Sequence, residues 1–333
     1  MNFSDRKKIN HLLVAGAAAF AIAIVGTPSM SYAAYPEKEI TVVVGWGPGG
    51  GIDSFSRVVK KYSKQYLGVD LKLVYKPGGG GKVAHNLLVR NLPKDGYTIG
   101  AANIPHQTIP TQISDKGYRL KDIQWVSTFS LVPSVVIVKR DGPFKTFADL
   151  TAAAKKNPKK LKAGTPGAQS GSAAFHYRWT KMVDAPITLV PYRGGSKMYK
   201  GLLGGETEVM STNLNWGVRF KDKVLVLAVA APKRSKILPE APTFKELGID
   251  YIDYLSRSMT ASAKVSKKKI DTLGKLFRKL AADENFVKDF KKIGLTVDYM
   301  DGDETAAYVA DYVKQSKDVF AMMRKMVTKK NSK

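Results

Sequence analysis

The glycines at positions 45–51 offer the clearest chemistry in the sequence, because they stand between two patterned segments. A β-branched run at 41–44 predicts a strand, and apolar residues recurring from Ile52 to Tyr66 predict a helix. Glycine lets backbone N–H groups approach a ligand, and the first turn of a helix adds unpaired donors and a partial positive charge. The stretch therefore predicts an anion-binding loop at Gly49, Gly50 and Gly51, with a purely structural turn as the alternative.

A dinucleotide site is a second interpretation of the same glycines. Gly45, Gly47 and Gly50 match the spacing G-x-G-x-x-G, and Asp70 lies twenty residues beyond Gly50. In that fingerprint the acidic residue ends the second strand, whereas Asp70 precedes the apolar run at 71–75. We therefore reject a nucleotide site and expect no cofactor.

Other candidate binding residues follow predicted strands, at the edge where α/β sheets bind ligands. Asn103 ends one strand, and Asn213 ends another, where it could bond a ligand or cap the next helix. Trp46 is predicted to form a cleft wall rather than a hydrophobic plug. His106 could bond a ligand or lie in a surface loop. Asp53, in the first helical turn, is predicted to cap N–H groups of the glycine loop.

Catalytic residues are scarce in this chain. It has no cysteine, and its four histidines form no His-Glu-x-x-His motif. Gly171, Ser172 and Ala173 do not make the G-x-S-x-G elbow of a serine hydrolase. We expect no enzyme and no metal site, with an exported hydrolase or dehydrogenase as the alternative.

The first 33 residues have the composition of a secretory signal peptide. Basic residues at 6–8 precede an apolar run at 12–25, which is short for a membrane span, and Ala33 ends a small-residue cleavage site. A retained anchor helix is the alternative. Without cysteine the chain cannot carry a lipid on that residue, so we expect a soluble periplasmic protein.

The formal charge of +26 raises the question of nucleic acid. The lysines are spread along the chain rather than clustered, and the exported location also argues against that partner. We expect a solvated basic surface that steers anionic ligands toward a cleft.

Strands alternate with helices in two successive series, which predicts parallel α/β architecture. We expect one domain at 35–136 plus 256–333 and a second at 137–255. Two separate apolar stretches are expected at 124–129 and 134–138, a strand at 296–299 and one last helix at 304–326.

Several short motifs, in order, resemble one family over essentially the whole mature chain. They are the loop at 45–53, the proline-glycine loop at 76–81, Asp-Gly-Tyr-Thr at 95–98, Val-Pro-Tyr-Arg-Gly-Gly at 190–195, Leu-Leu-Gly-Gly at 202–205 and Ala-Pro-Thr at 241–243. Together they resemble the tripartite tricarboxylate transporter substrate-binding proteins, also called the Bug or TctC-like family. The family more often has proline and a small residue where this chain has Gly45, Trp46 and Gly47.

The resemblance implies a type II-like periplasmic binding fold that closes like a Venus flytrap. It also implies a monomer that captures a di- or tricarboxylate, or a related organic acid, for a two-subunit membrane permease. A receptor for a sensor kinase would have the same sequence features and is the alternative.

One loop of each domain is implied to hold the carboxylate, through main-chain N–H groups and hydroxyls. Neither main loop contains arginine, so we expect no arginine clamp at the deep end of the cleft. The implied ligand-binding residues, with those at the strand ends, are Trp46, Gly49, Gly50, Gly51, Asn103, Thr165, Ala168, Gln169, Ser170, Ser172 and Asn213.

Overall fold

The structure is a computed structural model that describes residues 35–114 and 116–331. The described residues belong to one compact unit. The signal peptide expected at 1–33 lies outside them.

Three parallel strands begin the described chain. β1 (Ile40–Val44) pairs with β2 (Leu71–Tyr75) and with β3 (Thr98–Ala102). Helix α1 (Gly51–Leu67) connects β1 to β2; α2 (Lys82–Asn86) and a π-helical turn at Leu87–Asn91 lead toward β3. Residues at helical spacing put one face of α1 into the core, and the opposite face carries lysines.

The next segments form the other half of the sheet. β5 (Lys162–Thr165) pairs in parallel with β6 (Thr188–Pro191) and with β7 (Val209–Asn213). The other elements along this stretch of the chain are α3 (Ile109–Ile113), α4 (Phe147–Lys156), α5 (Gly171–Met182), α6 (Gly195–Leu203), α7 (Leu214–Arg219) and β8 (Val224–Val229).

A single long strand, β4 (Ile123–Lys139), joins the two halves. Its first part pairs with β9 (Tyr254–Ser262) and its last part pairs with β7 and β8, all antiparallel. The sequence predicts two separate apolar stretches here, whereas the structure has one strand that continues through Pro133. A proline is tolerated at this position because pairing passes there from β9 to β7.

The strand order is β2-β1-β3-β9-β4-β7-β5-β6, so β9 inserts between β3 and β4. We call β2, β1, β3, β9 and the first part of β4 the first half, and the remaining strands the second half. The predicted domain boundaries fall within β4 and β9, the strands where the chain crosses between halves. The division into two domains stays a prediction.

The C-terminal segment returns to the first half. α8 (Lys267–Ala281) and α9 (Glu284–Lys292) pack on α1 through Phe277, Phe286 and Phe290, which are fully buried. No strand forms at 296–299; instead the two-residue β10 (Met300–Asp301) pairs with β4.

The last predicted helix is two helices, α10 (Gly302–Gln315) and α11 (Lys317–Asn331), separated at Ser316. The break lets Val319, Phe320 and Met323 pack against α3 and α5. The C-terminal helix therefore bridges elements that follow strands of both halves. Within the described ranges, no helix combines the length and the apolar character needed to span a bilayer.

Candidate functional site

A cavity of about 300 Å³ lies between the two halves of the sheet. The first half contributes the loop between β1 and α1, the residues after β3, and part of β9. The second half contributes the start of α6 and the end of β7. The lining residues include Trp46, Gly47, Gly50, Gly51, Asn103, His106, Pro166, Arg193, Gly195, Ser196, Lys197, Lys200, Thr212, Asn213, Trp216, Leu255 and Arg257.

The glycine loop is fixed by the buried carboxylate of Asp53. The backbone N–H of Gly49 donates to Asp53 Oδ2 at 2.8 Å, while Arg57 Nε and the Tyr75 hydroxyl donate to Oδ1 at 2.9 and 2.5 Å. Gly49 has φ of 82°, a conformation that favours glycine. The capping role predicted for Asp53 is confirmed. The negative charge of Asp53 interacts with Gly49 N–H, Arg57 and Tyr75.

Arg257, on β9, is a buried side chain in the cavity wall, and we call the surface around it the floor. The relative exposure of Arg257 is 2%. Nη1 donates to Asn103 Oδ1 at 2.8 Å, and Nη2 donates to Asn213 and Asn215 Oδ1, both at 3.2 Å. Burial lowers the pKa of Arg257 to about 9, so the guanidinium is positively charged at neutral pH. Within the described part of the chain, Arg257 forms no ion pair.

The guanidinium fixes the orientation of three amides, because arginine can only donate hydrogen bonds. Asn103, Asn213 and Asn215 must each turn Oδ1 toward Arg257, which leaves their Nδ2 groups as donors for other partners. Asn103 and Asn213 also line the cavity. The floor therefore presents hydrogen-bond donors around a central positive charge.

Basic residues also surround the outer part of the cavity. Arg193 precedes α6, and Lys197 and Lys200 lie in its first two turns; all three are exposed to solvent. The N-terminal ends of α1 and α6 add partial positive charge. Among the described residues that line the cavity, none is aspartate or glutamate. The electrostatics favour an anion.

His106 is buried against the cavity and is neutral. Burial, with a smaller contribution from Arg257, lowers the pKa of His106 to about 3. Nδ1 accepts a hydrogen bond from the backbone N–H of Gly171 at 3.3 Å, so the ring proton lies on Nε2. The ring also meets the Trp46 indole edge to face, with centroids 5.5 Å apart. Trp46 is both a cavity wall and a core residue, where the sequence had favoured a wall.

The structure brings five of the predicted ligand-binding residues to the cavity wall, namely Trp46, Gly50, Gly51, Asn103 and Asn213. Gly49 lies beside it and is turned toward Ser196: a Cβ atom at Gly49 would stand 3.3 Å from Ser196 Oγ. The five positions in the wall agree with a ligand role, which stays a prediction, whereas the N–H of Gly49 is already bonded to Asp53.

The second predicted loop lies to one side, and only Pro166 reaches the cavity wall. Ser170 caps α5: its Oγ accepts from Ala173 N at 3.2 Å and donates to Gly167 O at 2.7 Å. Thr165 Oγ1 also donates to Gly167 O, at 3.3 Å. Ser172 is buried in the first turn of α5. Ala168 is exposed and Gln169 half-buried, where the loop packs beside Gly80.

Sequence reasoning missed Arg257 because it considered arginine only within the two loops. The signal was a single charged residue in a strand that otherwise carries no charge, between Leu255 and Met259. A charge at such a position is rarely buried unless it has a specific partner. No cluster of metal-ligating side chains occurs in the described ranges.

Known proteins resemble this chain both in sequence and in fold. A curated relative from Cupriavidus necator, the UPF0065 protein in the gbd 5' region, is 27% identical over 305 residues, covering 91% of this chain and 93% of that protein. The solved periplasmic binding protein BugD superposes with a TM-score of 0.79 at 24% identity, covering 87% of this chain and 98% of BugD.

Two solved structures from Rhodopseudomonas palustris share the fold with their ligands bound. MatC with malate has a TM-score of 0.79 at 19% identity, covering 86% of this chain and 100% of MatC. Rpa4515 with adipate has a TM-score of 0.79 at 21% identity, covering 87% of this chain and 98% of Rpa4515.

The TctC family model, described as the tripartite tricarboxylate transporter family receptor, matches residues 55–324. Its structurally characterised relatives are solute-binding proteins rather than enzymes. Because the match covers most of the chain, this protein belongs to the TctC family of periplasmic solute-binding proteins.

Proposed function

We propose that this protein captures a small carboxylate, a di- or tricarboxylate or a related organic acid, and delivers it to a membrane permease of the tripartite tricarboxylate type. One observation carries the proposal. The cavity between the halves is lined by four basic side chains and, within the described chain, by no acidic one. A site of that composition would repel cations and leave its buried arginine uncompensated unless an anion occupied it.

The size of the cavity supports a small ligand. Its volume of about 300 Å³ is at the lower end of the range typical of small-molecule sites. Malate in MatC and adipate in Rpa4515 are small dicarboxylates held by proteins of the same fold. Carboxylates also suit the donors here, since an arginine and main-chain N–H groups form charge-assisted hydrogen bonds with them.

Membership of the family supports the proposed permease partner and the proposed periplasmic location. Its description as a transporter receptor supports delivery to membrane partners, and the N-terminal composition supports export. Cell fractionation tests the location: we expect a processed chain that starts at Ala34 or Tyr35 in the periplasmic fraction. A full-length chain in the membrane fraction would contradict it.

A thermal-shift screen of carboxylates against the purified mature protein tests the ligand class. A ligand that binds only the folded state raises the melting temperature, so at least one acid should do so, and calorimetry should then give its affinity. Neutral sugars and amines serve as the comparison. If they raise the melting temperature and no acid does, the proposed ligand class is wrong.

A further inference from the structure

The two halves of the sheet contact each other through side chains as well as through the long strand that they share. Arg257, on β9 in the first half, donates to Asn213 and Asn215 in the second half. The backbone N–H of Gly171, at the start of α5, donates to Nδ1 of His106, which follows β3 in the first half. Contacts of this kind are lost if the halves move apart, so they define how the halves are held together around the cavity.

A third contact between the halves lies at the surface of the protein. Arg219, the exposed last residue of α7, donates from Nη1 to the backbone carbonyl of Gly49 at 3.0 Å. Gly49 belongs to the glycine loop of the first half, whereas α7 follows β7 in the second half. The N–H of Gly49 is bonded to Asp53, which fixes the peptide whose neighbour accepts from Arg219. Arg219 does not line the cavity, so a ligand held there would not touch it.

The guanidinium of Arg219 is positioned by an aromatic stack. Its Cζ atom lies 5.0 Å from the centroid of the Phe220 ring, a distance at which a cation is attracted to the ring face. Phe220 stacks in turn on Tyr199 of α6, with centroids 4.0 Å apart, and on Trp216, with centroids 5.6 Å apart. Among the described residues, Arg219 forms no ion pair that would compete for its donors. The second half therefore presents a fixed cationic donor to the glycine loop.

We propose that Arg219 is a positioning residue that latches the glycine loop of the first half onto the second half. We call its hydrogen bond to Gly49 O the latch. Both groups belong to the chain, so the latch can form before a ligand arrives. A ligand between the halves leaves only when they part, so the latch should also slow its release. That consequence rests on the proposed function.

The expected size of the effect follows from the exposure of the latch. A hydrogen bond from a charged donor stabilises the joined state, but solvent competes for an exposed one. We expect loss of the latch to raise the ratio of separated to joined molecules about fivefold. The buried contacts of Arg257 and His106 remain, so the halves should still be joined in most molecules.

Hydrogen–deuterium exchange measured by NMR on the purified mature protein, with no acid added, tests the proposal. The reporter is the Gly171 N–H, which begins α5 and so has no partner within its own helix. Its partner is His106 in the other half, and its exchange rate should follow the population in which the halves are separated. Arg219→Met removes the donors but keeps an unbranched side chain over Phe220. In this variant the Gly171 N–H should exchange about fivefold faster than in the wild type.

An internal reference and two variants control the result. The amide of Val136 lies in β4 between β7 and β8, all within the second half, so separation of the halves should leave its exchange unchanged. Arg140→Met is the matched variant, because exposed Arg140 donates to a main-chain carbonyl, Lys221 O, at 2.7 Å within the second half alone. It should leave Gly171 unaffected. Arg219→Lys keeps a charged donor and should restore part of the protection.

The outcomes separate the latch from the proposed function. If Gly171 exchanges at the wild-type rate in Arg219→Met, or if Arg140→Met accelerates it equally, the latch is overturned. Acceleration of Val136 together with Gly171 would show a general loss of stability and would overturn it as well. Since no ligand is present, these results do not depend on the carboxylate function, which the thermal-shift screen decides.

Discussion

Nη2 of Arg257 lies 2.6 Å from the point where a Cβ atom at Gly51 would stand. The same Cβ atom would lie 3.1 Å from Asn215 Nδ2. The backbone at Gly51 is ordinary helix, which any residue can adopt. The position requires glycine because these two neighbouring side chains leave no room for a Cβ atom. The first residue of α1 and the cationic floor are in direct contact, so the glycine loop and Arg257 form one site.

Gly51→Ala should weaken ligand binding while the fold is kept. The added methyl group must push the end of Arg257 away, since real Cβ contacts below 3.0 Å do not occur. We expect at least a tenfold loss of affinity by calorimetry, which corresponds to about 1.4 kcal/mol. Because the displaced guanidinium is buried, the melting temperature of the free protein should also fall, while circular dichroism should show that the fold is kept.

Gly47→Ala is the matched control for that change. Gly47 lines the same cavity, but a Cβ atom there would meet nothing within 4 Å. Its affinity should stay close to that of the wild type. Equal losses in both variants would mean that any bulk in the loop is harmful and that the contact with Arg257 is not special.

Gly50→Val tests the glycine loop itself. Gly50 has φ of −84°, so valine fits the backbone, and a Cβ atom would meet only Gly47 O at 3.7 Å. The loss expected is therefore in ligand binding, because the branched side chain would cover N–H groups at the start of α1. A folded Gly50→Val protein, verified by circular dichroism, that binds its ligand as the wild type does would remove this loop from the site.

Asp53→Asn should destabilise the folded protein. The carboxylate accepts hydrogen bonds from Gly49 N, Arg57 and Tyr75, and an amide can replace neither its charge nor all three contacts. By analogy with helix caps and charged hydrogen bonds, we expect a loss of about 2 kcal/mol in the free energy of unfolding, measured with urea. Ser54→Ala, half-buried in the same turn, is the control and should cost less.

Acidification should destabilise the protein through its buried histidines. Burial lowers the pKa of His85 and His176 to about 4 and that of His106 to about 3, whereas an unfolded histidine titrates near 6.5. Between these values the unfolded state binds more protons, so stability is complete above pH 6.5 and is lost as the pH falls. Each histidine should cost about 2 kcal/mol between pH 7.5 and pH 5, as measured by urea unfolding.

Asp253 has the opposite effect on stability as the pH falls. Burial raises its pKa to about 6, so the folded state binds this proton first and gains relative stability as the pH falls through 6. Three histidines outweigh one carboxyl group, and net destabilisation is the expected sign. His176→Gln can keep a donor toward Ile187 O without titrating, so its pH dependence should be flatter. An unchanged slope would show that His176 does not carry the effect.

The fold was largely predictable because its strands and helices have distinct periods. The alternation of β1, α1 and β2, and the apolar face of α1, can be read directly from the spacing of apolar residues. Breaks within long elements were not predictable in that way. Pro133 does not divide β4, because neighbouring strands pair on either side of it, and α10 and α11 separate at Ser316 because packing against α3 and α5 requires it.

The candidate site was predicted only where it depends on local sequence. Gly50, Gly51 and the cap at Asp53 belong to one strand-to-helix turn, so a single motif reveals them. Arg257 is about two hundred residues away from that turn, and only the insertion of β9 between β3 and β4 brings it to the floor. Its meeting with Asn103 and Asn213 depends on that strand order, which no local pattern encodes.

The single strand β4 has a consequence for how this protein loses its structure. Because its first part pairs with β9 and its last part with β7 and β8, neither half of the sheet is complete without it. Detaching one half would expose the pairing edge and the core of the other half. A state in which only one half is unfolded should therefore have a high free energy and be little populated. We expect heat to unfold both halves in one cooperative calorimetric transition, and a fragment ending before β4 to have no stable fold.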